Sequence, residues 1–102
     1  MERRWSNRKA LEREVLLRYE GISLLRCRTH NISFEGAYIH TANIIVPAEM
    51  ELVVNFVPDD IEAEEVSLGG RVVRVQADGV GVSFLDYHDG AYQYLLRLLN
   101  LQ

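Results

Sequence analysis

The chain has 102 residues, of which 48% are hydrophobic and 25% charged, and it carries a formal net charge of −4 and a single cysteine, a composition that excludes disordered and low-complexity classes. No uninterrupted apolar run exceeds three residues and the chain opens Met1-Glu2-Arg3-Arg4-Trp5, so neither a membrane span nor a secretory signal is expected. Cys27 has no partner for an internal disulfide, and the expected compartment is the reducing cytoplasm.

At this length folding hides roughly two-thirds of the surface of the unfolded chain, enough for one core and one domain, 1–102. Residues 1–13 hold Arg3, Arg4, Arg8, Lys9 and Arg13 with little periodicity and read as a flexible basic arm. Period-two alternation begins at Val15, Leu17 and Tyr19, is broken by Glu20-Gly21, and resumes from Ile22 to Thr29, the pattern of a hairpin. A short run from Ala37 to His40 follows the segment Asn31 to Gly36. Another, Met50 to Val57, places Met50, Leu52, Val54 and Phe56 on one face between Pro47 and Pro58, as proline at strand margins should.

Beyond an acidic loop from Asp59 to Glu65, a long run from Val66 to Ala77 contains Gly69-Gly70, which suggests a bulge or bend. Asp78-Gly79 is a hairpin-turn signal, and Val80, Val82 and Phe84 share one face of the return strand. Ala91, Leu95, Leu98 and Leu99 then fall at helical spacing over 89–101, with Asp86 or Asp89 as candidate caps. The reading is a mostly β fold: a six-stranded antiparallel β-barrel over 14–85 with a C-terminal amphipathic helix packed on it.

Charge is unevenly distributed. Residues 1–28 sum to +4 and residues 29–102 to −8, so a basic nucleic-acid coat is not expected, whereas a local anion site built from the arm is. Catalysis lacks its usual signals. His30, His40 and His88 form no His-x3-His pair, no Cys-x2-Cys exists, and Ser33 has no Gly-x-Ser-x-Gly context; no catalytic residue and no metal are assigned. Cys27 reads as a small buried hydrophobe.

Two patterns remain. Arg4-Trp5-Ser6-Asn7-Arg8 spaces two guanidiniums, planar forks that grip phosphate bidentately and stack on bases, so that they converge on one anion. Asn31-Ile32-Ser33-Phe34-Glu35-Gly36 reads either as a polar turn or as a shelf. In the second case Asn31 and Ser33 share one side of an extended strand while Ile32 and Phe34 face the core.

Together these motifs resemble the PilZ domain family, which is marked by Arg-x-x-x-Arg in an N-terminal loop and (Asp/Asn)-x-Ser-x-x-Gly some twenty residues on. The likeness continues through Gly70-Arg71-Val72-Val73-Arg74-Val75 and Gly79-Val80-Gly81-Val82-Ser83-Phe84 and spans essentially the whole chain. It implies a bacterial second-messenger receptor that binds cyclic di-GMP without a cofactor. The ligand contacts implied are Arg4, Arg8, Asn31, Ser33 and Gly36, with Arg3 and Trp5 as further candidates. Asn31 stands where other members carry aspartate, and an amide accepts from only one of the guanine N1 and N2 donors.

The expected mechanism is reordering of the arm over the barrel on binding, read by an effector protein. The alternative is a domain of this family that binds proteins and not nucleotide. A single-stranded nucleic-acid binder would instead spread basic and aromatic residues along a strand face.

Overall fold

Strand periodicity in the sequence becomes a closed barrel in the computed structural model, which describes residues 9–20, 22–42, 44–58 and 65–99. The elements are β1 (Lys9–Ala10), β2 (Glu14–Tyr19), β3 (Ile22–Ile32), β4 (Gly36–His40), β5 (Glu51–Phe56), β6 (Val66–Val75), β7 (Gly79–Phe84) and α1 (Asp89–Leu99). Every pairing is antiparallel. The order β3-β2-β5-β6-β7-β4 closes because β4 returns to β3, and β1 is added on the outer flank of β3. Closure leaves no long unpaired edge, which is how small antiparallel sheets avoid intermolecular pairing.

Alternation fills the interior. Val15, Leu17, Ile32, Ile39, Val54, Phe56, Leu68, Val72, Val80 and Val82 are all at most 3% exposed, while most of their strand neighbours face outward; Asn55 and Gly79 are buried exceptions. Tyr19 departs from the expected face and is exposed, because the β2–β3 register shifts between Leu17 and Arg18 and reverses the alternation beyond it. The helix buries Ala91, Leu95 and Leu99 over one end of the barrel, where Phe56 meets Tyr94 at 5.1 Å and Phe84 at 6.5 Å between ring centroids. Among the described residues no helix is long and apolar enough to cross a membrane.

Four local expectations are corrected. The second strand does not stop at Thr29 but runs to Ile32, since Asn31 and Ile32 pair with both β4 and β1. The interruption in β6 falls at Val73 and not at Gly69-Gly70: Val72 pairs with Val82 and Arg74 with Gly81, leaving Val73 extra. Gly70 serves packing, because a Cβ there would lie 2.5 Å from a Val82 methyl. The β6–β7 turn centres on Ala77-Asp78, with the Gln76 amide donating to the Gly79 carbonyl at 2.9 Å. Gly79 already belongs to β7, where a side chain would strike the Ile39 carbonyl at 2.3 Å.

The helix cap is neither Asp86 nor Asp89. The Ala91 amide donates to His88 Nδ1 at 3.3 Å, the usual office of a residue just before the first turn. His88 Nε2 lies 2.8 Å from the Ser67 carbonyl. With Nδ1 accepting, Nε2 carries the proton and donates, so one ring ties β6 to the helix start.

Candidate ligand-binding site

Arg3, Arg4, Trp5 and Arg8 lie outside the described residues, and the barrel surface carries the remaining candidates, Asn31, Ser33 and Gly36. On β3 an extra residue, His30, sits between Thr29, which pairs with Ile39, and Asn31, which pairs with Tyr38. Such a bulge bends the strand and re-aims the next side chain. Asn31 is half-buried and borders a cleft of about 370 Å³ with His30, Tyr38, His40, Arg74, Gln76 and Asp78.

Ser33 is placed differently from the expected shelf. It is 2% exposed, and its hydroxyl lies 3.2 Å from the Gly36 amide and 3.3 Å from the Gly36 carbonyl. The Ser33 amide donates to that same carbonyl at 2.8 Å. Strand alternation ends at Ile32, so Ser33 belongs to the turn and its hydroxyl closes it.

Gly36 is buried for a related reason: a Cβ would come within 2.1 Å of the Val82 carbonyl oxygen, where β4 and β7 approach closely. Phe34, expected in the core, is only half-buried. Its ring stacks on Tyr87 at 5.1 Å, and Tyr92 meets its edge at 5.3 Å.

A second cleft of about 410 Å³ adjoins the first and is bordered by Ser33, Glu35, Gly36, Val73, Gly81 and Ser83. Tyr38 and Arg74 border both. The surface therefore crosses β3, β4, β7 and β6, and its two outer strands each carry a bulge, at His30 and at Val73.

Its electrostatics are mixed. The Tyr38 hydroxyl donates to Asp78 Oδ1 at 2.6 Å and lies 3.1 Å from Gln76 Oε1. Desolvation, and then the Asp78 carboxylate, push the Tyr38 phenol up to about 12. The same hydrogen bond holds the Asp78 carboxyl below the ordinary aspartate range. His40 Nδ1 stands 3.9 Å from Asp78 Oδ2, and the His30 and His40 rings meet edge to face at 5.1 Å. Among the described residues no group of three or more His, Cys, Asp or Glu side chains is arranged to hold a metal ion.

Sequence reasoning missed Tyr38, Arg74 and Asp78 as members of this surface. The signal was present in part: Tyr38 and His40 alternate with the buried Ile39 and so face outward. That β6 lies beside the same face follows only from closure of the barrel.

The chain is thus a closed six-stranded barrel with one C-terminal helix and a polar double cleft beside an Asn-x-Ser-x-x-Gly turn. The sequence model of the PilZ domain matches residues 2–101, and the chain belongs to the PilZ domain family. Among solved structures it is similar to the Bacillus subtilis inhibitor of motility (MotI/DgrA), with a TM-score of 0.79 at 17% sequence identity, over 99% of this chain and 51% of that one. The chain thus spans about half the length of that protein, and the likeness is one of fold. A search of the curated proteins finds no match.

Proposed function

We propose that this PilZ domain is a receptor module for cyclic di-GMP, in which the Arg4-x-x-x-Arg8 arm closes on the double cleft and a partner protein reads the closed state. Arg4 and Arg8 grip phosphates or guanine edges, chemistry for which the guanidinium fork is suited. Asn31 meets the ligand from β3, while Ser33 and Gly36 shape the turn that borders it. Arg3 and Trp5 flank the first arginine and complete the arm's candidate contacts.

The observation that carries this reading is the register of β1. Lys9 pairs with Ile32 and Ala10 with Asn31, and the Leu11 amide donates to the His30 carbonyl at 3.2 Å. Arg8 directly precedes Lys9, and consecutive Cα atoms are about 3.8 Å apart. The described chain therefore begins beside the Asn31-to-Gly36 segment, one residue after the arginine motif ends in the sequence, which supports joint binding of one ligand. Ordering the arm costs of order 1 kcal/mol per residue, which charge-assisted contacts to two phosphates must exceed.

Calorimetric titration of cyclic di-GMP into the wild type and Arg8→Ala tests the reading, with cyclic AMP and linear diguanylate as controls. Selective binding that the variant loses is expected. Absence of heat with cyclic di-GMP in the wild type overturns the receptor reading in favour of a protein-interaction module of the same fold.

A further inference from the structure

We propose that Arg74, on β6, is a ligand-anchoring residue of the barrel surface that takes a phosphate diester where the two clefts meet. The proposal deepens the cyclic di-GMP reading and rests on it. Its first support is position: Arg74 borders the cleft that contains Asn31 and also the cleft that contains Ser33 and Gly36. A group seated across both clefts passes this side chain.

The second support is the state of the guanidinium. Arg26, Arg28 and Arg71 are tied to Glu14, Glu12 and Glu51. Arg74 is exposed and has no ion pair among the described residues. A cation already paired must give up its partner to bind an anion, whereas among the described residues Arg74 has no carboxylate to give up.

Local backbone geometry supplies the third support. The bulge at Val73 leaves Arg74 opposite Gly81, and a Cβ on Gly81 would sit 3.4 Å from the Arg74 Cβ. Glycine at that cross-strand position puts no side chain over the stem of Arg74. The arginine stays open to the cleft, in the strand setting where bulges commonly re-aim a functional side chain.

Asp78 bounds the phosphate site on one side, as Glu35 does in the second cleft. The Asp78 carboxylate lies in the first cleft, fixed by the Tyr38 hydroxyl, and it repels an anion there. The phosphate belongs between the two carboxylates, at Arg74, with a base carrying N–H donors turned toward Asp78.

The test is calorimetry of cyclic di-GMP with the wild type, Arg74→Ala, Arg74→Lys and, as a same-strand control, Arg71→Ala, each checked for an unchanged melting temperature. Loss of a charge-assisted bidentate contact should weaken binding about ten- to a hundredfold in Arg74→Ala and less in Arg74→Lys, with Arg71→Ala unaffected. Wild-type binding with equal affinity in Arg74→Ala overturns the role of Arg74 and leaves the receptor reading standing. Failure of the wild type to bind overturns both. If Arg74→Ala melts early, Arg74→Lys and Arg74→Gln decide the matter, and unchanged affinity in both overturns the proposal.

Discussion

The Tyr87 hydroxyl donates to the Phe34 carbonyl at 2.8 Å while the two rings stack at 5.1 Å with planes 8° apart. One side chain from the segment leading into α1 thereby clasps the turn between β3 and β4 from above. Tyr92, on the first turns of α1, meets the edge of the same phenylalanine. These contacts couple the Ser33-to-Gly36 turn to the segment that starts the helix.

Tyr87→Phe keeps the stacked rings and removes the hydrogen bond. A loss of about 1 kcal/mol in stability is expected, together with faster amide hydrogen exchange at Ser33 and Gly36 than in the wild type. Unchanged exchange at both amides would show that the turn does not depend on the clasp.

Gly36→Ala sets a Cβ against the Val82 carbonyl at 2.1 Å, with backbone and not a flexible side chain in the way. Overpacking of this kind costs about 2–3 kcal/mol, which lowers the melting temperature of a domain this size by roughly 10 °C or more. Thermal unfolding without ligand checks this, and a wild-type melting curve would contradict it.

Asn31 and Ser33 should separate under substitution. Ser33→Ala removes a buried hydroxyl that closes the turn, so stability should fall by about 1–2 kcal/mol. Asn31→Ala, at a half-buried position on the cleft, should weaken cyclic di-GMP binding about tenfold. Calorimetry and thermal melts on the same two variants read both quantities.

Burial pushes the Cys27 thiol up to about 11. The folded chain therefore keeps a proton that the unfolded chain releases, so the contribution is fully present below pH about 9 and is lost as pH rises toward 11. Alkylation by iodoacetamide should be slow at pH 8 and rapid in denaturant. Cys27→Ala should lose less stability over the window from pH 9 to 11 than the wild type does.

Tyr38 and Asp78 make opposite statements about pH. The aspartate's lowered value adds stability that is present above the ordinary aspartate range and lost as pH falls through its folded value. The tyrosine's raised value adds stability that is lost as pH climbs toward 12. Both groups are solvent-facing, so the effects are small. Asp78→Asn should bring the Tyr38 phenol part of the way back toward 10, leaving the desolvation contribution, as followed by phenolate absorbance.

Period-two alternation was sufficient to find the six barrel strands, because between bulges a side chain's face in a strand depends only on its own parity. The helical stripe of Ala91, Leu95 and Leu99 was legible for the same kind of reason. Local pattern also exposed the Asn-x-Ser-x-x-Gly segment. It did not reveal that Ser33 closes the turn on Gly36, because strand alternation stops at Ile32 and only the β1 and β4 pairings mark where.

The bulges at His30 and Val73 were invisible in the sequence, since an extra residue in one strand is defined only against its partner. The cap supplied by His88 depends on the Ser67 carbonyl, which the barrel brings to it from more than twenty residues away. Arg74 and Asp78 lie more than forty residues beyond Asn31 in the chain. Sequence alone determined which residues face in and which face out where a strand runs without a bulge; at Tyr19, Ser33 and Phe34 the pairing of the strands and the turn decided instead. The tertiary structure decided which outward-facing residues share one cleft, because the β4–β7 pairing joins the β3–β4 and β6–β7 hairpins through hydrogen bonds between residues that no local pattern relates.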